Sequence, residues 1–189
     1  MAPKKPIEKA TFPHVVESAI ENGSGPEALY AALDLGTNSC RMLIAQPKGA
    51  QFHVIDSFAK SVQLGSGLEK TGKLSRDSMN RTIQALKVCK QKLDKYDVKY
   101  SRLIATESCR RAKNSQDFIL RVFQETCLKL NIINTEEEAR LAVISCAPLV
   151  SSRSEQLLVV DICGGSTERV WIDLRAVPSH ERPKSIMRL

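Results

Sequence analysis

Two apolar runs constrain this chain more than anything else in it, because each ends in an aspartate and breaks into a glycine turn. The first is Tyr30-Ala31-Ala32-Leu33-Asp34-Leu35-Gly36-Thr37-Asn38-Ser39, and the second is Leu157-Leu158-Val159-Val160-Asp161-Ile162-Cys163-Gly164-Gly165-Ser166-Thr167-Glu168. The four apolar residues before Asp161, bounded by a turn signal, read as a strand buried on both faces. Asp161 then sits at a strand's carboxyl end, where open α/β sheets place their ligand chemistry. Gly164 and Gly165 let the backbone approach a bulky anion, and successive N–H groups in such a turn form an anion nest. Arg41-Met42-Leu43-Ile44-Ala45 gives the first turn an apolar return strand. A carboxylate below a phosphate cradle, written twice, points to a metal–phosphate site with oxygen ligands.

The rest of the chain supplies the frame. Strands are expected at 29–34, 41–46, 52–61, 103–106, 131–133, 157–162 and 169–173. Ser75 caps a helix whose apolar residues Met79, Ile83, Leu86, Cys89 and Leu93 keep helical spacing. Asn114 opens another, with Ile119, Val122, Phe123, Thr126 and Leu130 as its buried stripe. Thr135-Glu136-Glu137-Glu138 starts a third, closed by Pro148. Thr-x-x-Glu is a capping box, so the residues alone favour Glu138 as a partner of the Thr135 N–H. Residues 1–28, polar and carrying four prolines, read as a disordered tail with a short helix near residues 15–20.

Composition excludes several classes. The net charge is +7, but the basic residues are spread out, and Lys87, Lys90, Lys92, Lys95 and Lys99 follow one helix as a solvated face. That spread and the low aromatic share (5%) argue against nucleic acid as a partner. No apolar run reaches the roughly 20 residues of a membrane helix, and no secretory signal is visible. The six cysteines form no C-x-x-C pair and no zinc spacing. They read as reduced thiols of a cytoplasmic protein.

Four stretches in order resemble the exopolyphosphatase/guanosine pentaphosphate phosphohydrolase (Ppx/GppA) family of the actin/Hsp70/sugar-kinase superfamily. They are Asp34 to Ser39 with Arg41, Ala105 to Asn114, Glu136-Glu137-Glu138-Ala139-Arg140-Leu141, and Asp161 to Glu168. The resemblance spans about Leu29 to Val170. It implies an α/β fold: an actin-like ATPase (ribonuclease H-like) domain, with a mixed sheet flanked by helices, at 29–136. The start of a second, truncated domain of the same fold would occupy 137–189.

The function implied is Mg²⁺-dependent hydrolysis of a terminal phosphoanhydride, in inorganic polyphosphate or in the guanosine pentaphosphate of the stringent response. Glu138 is implied as the general base and Arg110 as the arginine on the substrate phosphates; a planar guanidinium fork suits two phosphate oxygens. Gly36, Thr37, Asn38, Ser39, Arg41, Gly164, Gly165, Ser166 and Thr167 are implied to bind phosphate. Asp34, Asp161 and Glu168 are implied to hold Mg²⁺, which prefers oxygen ligands.

Three positions depart from the family pattern. Gln63 stands where an arginine is usual, so one phosphate contact is expected to be missing. Glu107 replaces a small or hydroxyl residue and needs Arg110 or Arg111 to hold it beside a phosphate site. Cys163 replaces the first of three glycines, and a thiol beside a metal or amide nest is expected to have a lowered pKa. The chain is also expected to be truncated, leaving sheet edges and apolar faces exposed. A homodimer is one expected arrangement, and a non-catalytic phosphate- or nucleotide-binding remnant is the alternative function.

Overall fold

The computed structural model describes residues 28–48 and 51–186. The expected tail, with its short helix, lies outside the described residues apart from Ala28.

A five-stranded mixed sheet is built first. β1 (Tyr30–Leu35), β2 (Ser39–Lys48) and β3 (Gln51–Ser61) form an antiparallel meander, and β4 (Tyr100–Ala105) and β5 (Asn131–Ile132) join parallel to β1, giving the order β3-β2-β1-β4-β5. Alternation decides which face each residue takes. Ala31, Leu33 and Leu35 of β1 and Cys40, Met42 and Ile44 of β2 are buried on one face. Ala32 and Asp34 point the other way, with Leu43 and Arg41 directly opposite them.

The helices follow the strands. After the short α1 (Leu68–Thr71), α2 (Arg76–Lys95) starts where the Ser75 hydroxyl accepts from the Ser78 N–H at 3.1 Å. Ile83, Leu86, Cys89 and Leu93 are buried along it, as the spacing predicts. α3 (Glu107–Arg111) follows β4, and α4 (Ser115–Thr126) packs against α2. Their core with the sheet includes Phe118 and Val122, each fully buried. Each such side chain contributes about 1.5–3 kcal/mol.

Two local expectations change here. Phe123 is 43% exposed, and Phe118 takes its place in the core. The buried stripe therefore runs Phe118, Val122, Thr126, a clean i, i+4 row. Asn114 does not cap α4; its amide pairs with the Leu74 backbone, accepting from N–H at 2.8 Å and donating to the carbonyl at 3.1 Å.

α5 (Thr135–Cys146) leads to a second core, made by Val143, Ala147, Val150, Val159, Leu174 and Ile186. β6 (Gln156–Ile162) and β7 (Thr167–Asp173) form an antiparallel hairpin over it, and α6 (Arg182–Ile186) closes the far side. The expectation that β6 is buried on both faces is overturned. Leu158, Val160, Ile162 and Trp171 are 48–76% exposed, because this two-stranded sheet has α5 on one face only. The hairpin therefore has an exposed apolar face.

Candidate active site

Three parallel strand ends deliver the site. The Thr106 N–H donates to the Leu35 carbonyl at 3.1 Å, and the Ile133 N–H donates to the Ala105 carbonyl at 3.1 Å. The segments leaving β1, β4 and β5 are thus tied side by side at the carboxyl edge of the sheet. They carry Thr37 and Asn38, Arg110, and Glu138 respectively.

The β1 turn closes when the Gly36 N–H donates to the Ser39 carbonyl at 3.0 Å. The hairpin turn closes when the Cys163 N–H donates to the Ser166 carbonyl, also at 3.0 Å. These two glycine turns touch. A Cβ on Gly164 would overlap the Asn38 amide, and one on Gly165 would overlap the Thr37 hydroxyl and lie 3.1 Å from the Thr37 Cβ. Thr37, Asn38, Gly164 and Gly165, with Gln63, Gly65, Ser66, Leu68, Glu69, Glu107 and Arg111, line a cleft of about 320 Å³.

Beside the cleft lies an acidic group with one arginine in it. Asn134, not Thr135, caps α5: its side-chain amide oxygen accepts from the Glu137 N–H at 2.8 Å. The capping box expected between Thr135 and Glu138 is therefore absent, and the Glu138 carboxylate is free for other work. It accepts from Arg110 at 2.6 Å, while the Arg110 guanidinium also donates to Glu107 at 2.9 Å and to the Ile133 carbonyl at 3.0 Å. Glu107 is held by both arginines, since Arg111 reaches its other oxygen at 3.5 Å. The departure at 107 is thus charge-compensated.

Asp161 and Glu168 face each other across the hairpin register. Glu168 is 7% exposed, and its Oε2 is buried without a hydrogen-bond partner. The ligand atoms of Glu138, Cys163 and Glu168 lie within 4.8 Å of one another.

Electrostatics follow from this crowding. Burial pushes the Glu138 carboxyl above its ordinary pKa, Arg110 pulls it down, and Glu168 and Asp34 push it further up. Part of the Asp34 side chain meets solvent, yet the protein around it raises its pKa as well, Arg41 opposing and Asp161 adding to the rise. Burial of Arg110 works against its charge, but Glu138 and Glu107 outweigh it and keep the guanidinium protonated. Burial and then Asp161 push the Cys163 thiol up to about 12. The lowered thiol pKa expected from the sequence is reversed, because carboxylates rather than a positive nest surround the sulfur. Cys163 also avoids the left-handed backbone region, so its Cβ costs little there.

Asp34, Glu138, Asp161, Cys163 and Glu168 thus share one electrostatic neighbourhood, with Arg110 inside it and the Thr37–Asn38 and Gly164–Gly165 turns beside it. Ser39 and Thr167 flank those turns, and Ser166 has a buried hydroxyl without a partner. Arg41 is set apart. It lines a second groove of about 430 Å³ on the sheet's other face, with Asp34, Phe58, Arg102 and Leu141.

Sequence reasoning offered Arg111 as a holder of Glu107 but missed its pairing with Glu69, at 2.6 Å on the rim of the cleft. They are 42 residues apart, so no local spacing signals them. It also missed Cys163 as a neighbour of Glu138 and Glu168.

Comparison with known proteins gives this geometry a context. The Ppx/GppA phosphatase family model matches residues 43–181, well over half of the chain. The chain belongs to the Ppx/GppA phosphatase family. The Ppx/GppA enzyme of Aquifex aeolicus is 36% identical, with a TM-score of 0.69 over 77% of this chain and 48% of that one. The type II variant of the A. aeolicus Ppx/GppA phosphatase is 30% identical, with a TM-score of 0.66 over 84% of this chain and 60% of that one. An exopolyphosphatase from Cytophaga hutchinsonii is 26% identical, with a TM-score of 0.73 over 77% of this chain and 46% of that one. This Ppx/GppA chain spans about half the length of these relatives and shares their actin-like ATPase fold. Among the described residues no helix is long and apolar enough to cross a membrane.

Proposed function

We propose that this chain carries the catalytic residues of a phosphoanhydride hydrolase acting on the terminal phosphate of polyphosphate or of guanosine pentaphosphate. The observation that carries the reading is Glu138: a carboxylate released from helix capping, nearly buried, and paired with Arg110.

A general base needs a proton affinity near the working range and reach to the attacking water. Burial and the acidic neighbours supply the first by raising the Glu138 pKa. The pair with Arg110 is the resting arrangement. An incoming terminal phosphate offers the guanidinium a better bidentate partner, which frees Glu138 to orient a water and take its proton. Arg110 then offsets charge on the transferring phosphoryl group, where most of the catalysis in such reactions lies. The remaining phosphates would lie along Thr37, Asn38, Gly164 and Gly165, held by backbone and hydroxyl donors.

Asp34, Asp161 and Glu168 fit Mg²⁺ by donor chemistry. All are carboxylates, and the unpartnered buried Oε2 of Glu168 is unsatisfied without a cation or donor. Bound there, Mg²⁺ would neutralise phosphate charge. The boundary between a first domain at 29–136 and the start of a second at 137–189 belongs to the same proposal, motivated by the two separate cores.

The alternative is a non-catalytic phosphate- or nucleotide-binding piece, and the open apolar face of the hairpin is the observation that favours it. Phosphate release from polyphosphate and from guanosine pentaphosphate, with and without Mg²⁺, separates the two. Mg²⁺-dependent release from either substrate supports the hydrolase. Binding of both without release by the folded chain supports the alternative.

A further inference from the structure

One feature of the acidic group is unsuited to Mg²⁺: a sulfur. The β6–β7 turn projects Cys163 toward Asp161, with Sγ 3.5 Å from its Oδ1. The same turn brings Sγ within 4.8 Å of carboxylate oxygens of both Glu138 and Glu168. Cys163 and Glu168 flank one hairpin turn, and the fold brings the helical Glu138 to them from 25 residues away. Its second mark is Glu168, whose side chain is more than nine-tenths buried and whose Oε2 finds no partner. A buried carboxylate oxygen left unsatisfied is costly, and a cation bound by the Glu168 carboxylate and the sulfur removes that cost.

We propose that Glu138, Cys163 and Glu168 bind a thiophilic divalent cation of the Zn²⁺ type, and that this cation shuts the cleft down. Mg²⁺ takes hard oxygen ligands, whereas a thiolate with two carboxylates suits Zn²⁺. Zinc bonds of about 2.3 Å to sulfur and about 2.0–2.2 Å to oxygen place tetrahedral ligands roughly 3.3–3.7 Å apart. Rotamer adjustments of about an ångström close the observed group onto such an ion. The Zn–S bond forms as the thiol proton leaves to solvent. Glu138 keeps one oxygen on Arg110 and gives the other to the ion, so both oxygens are held by cations and the carboxylate is too weak a base to take a water proton. The binding site stands on this geometry alone; the inhibition rests on the reading of Glu138 as the base.

Co²⁺ is the probe, because a cobalt–thiolate bond gives an intense near-ultraviolet charge-transfer band that a carboxylate does not. Titration of the full chain should produce that band, Zn²⁺ should displace it, and Cys163→Ser and Cys163→Gly should abolish it. Zn²⁺ affinity should fall at least ~10-fold in Cys163→Ser, the scale on which even outer-shell partners tune a site, and also in Glu168→Gln. In Mg²⁺, Zn²⁺ should stop phosphate release by the parent chain at concentrations that spare Cys163→Gly. Absence of the band, or its survival in both folded Cys163 variants, overturns the site. A Cys163-dependent band in a chain without turnover upholds the site while contradicting the hydrolase reading.

Discussion

Arg110 and Glu138 are joined by a 2.6 Å charge-assisted hydrogen bond, so the candidate phosphate ligand and the candidate base neutralise each other at rest. Their side chains are 15% and 9% exposed, and Glu107 shares the same guanidinium. Removing the arginine strands two carboxylates where solvent hardly reaches. Arg110→Ala should therefore lower stability by about 3 kcal/mol, read as a shift of the urea midpoint at constant slope. A midpoint within experimental error of the parent would show that the pair does not hold the fold.

Glu137 behaves oppositely to its neighbour. Arg140 at 2.7 Å and Arg102 at 2.6 Å bring its carboxyl down to about 2 from an ordinary 4.5. A depressed folded-state pKa gives stability that is present above the unfolded value and lost as pH falls through the folded one. Glu137→Gln should thus cost about 1–2 kcal/mol at pH 7, after allowance for solvent screening. The two unfolding curves should converge as pH falls from about 4.5 to about 2. A difference that stays constant with pH would rule out the charge as its source.

Contact between the two glycine turns narrows the cleft that is the candidate phosphate site. Gly165 faces the short, branched Thr37 side chain, whose Cβ an added methyl would approach to 3.1 Å, whereas Gly164 faces chiefly the amide of the longer Asn38. Gly165→Ala should weaken binding of a phosphate-chain ligand more than Gly164→Ala. Overpacking of this kind costs about 1–3 kcal/mol, roughly 5- to 150-fold in affinity. Isothermal titration with polyphosphate checks it, and equal affinity in all three proteins would mean that the turns do not hold the ligand.

Leu158, Val160, Ile162 and Trp171 give the hairpin an uncovered apolar face. Patches of this kind drive association. Leu158→Lys with Trp171→Lys should lower the mass average seen by sedimentation at a given protein concentration. An unchanged mass average for a chain that does associate would place the contact elsewhere.

Much of this was legible in the sequence, for physical reasons that differ by element. The period-3.6 row Ile83, Leu86, Cys89, Leu93 and the two Asp–Gly turns are local patterns, and the structure keeps both. Phe118 against Phe123 was misread because both fall near the stripe and only the neighbouring α2 decides which is covered. The hairpin misled for a related reason. An apolar run reports what a strand can bury, while burial depends on layers, and the described residues lay α5 over one face only. At the site, the turns, Arg110 and Glu138 were readable through family resemblance. The Glu138 contacts were not, because Asn134 took over the capping role one residue earlier than Thr135. Arg111 with Glu69, and Cys163 beside Glu138, arise from tertiary closure and leave no spacing to read.

If Glu138 takes the proton from water, Glu138→Gln removes the base. Glutamine keeps the shape and accepts from Arg110, but it cannot act as a base. Mg²⁺-dependent phosphate release should fall by about 10²- to 10⁴-fold, with substrate affinity within a few-fold of the parent by titration. Release that survives at the parental rate would rule out Glu138 as the base, as would a loss of release explained wholly by lost binding.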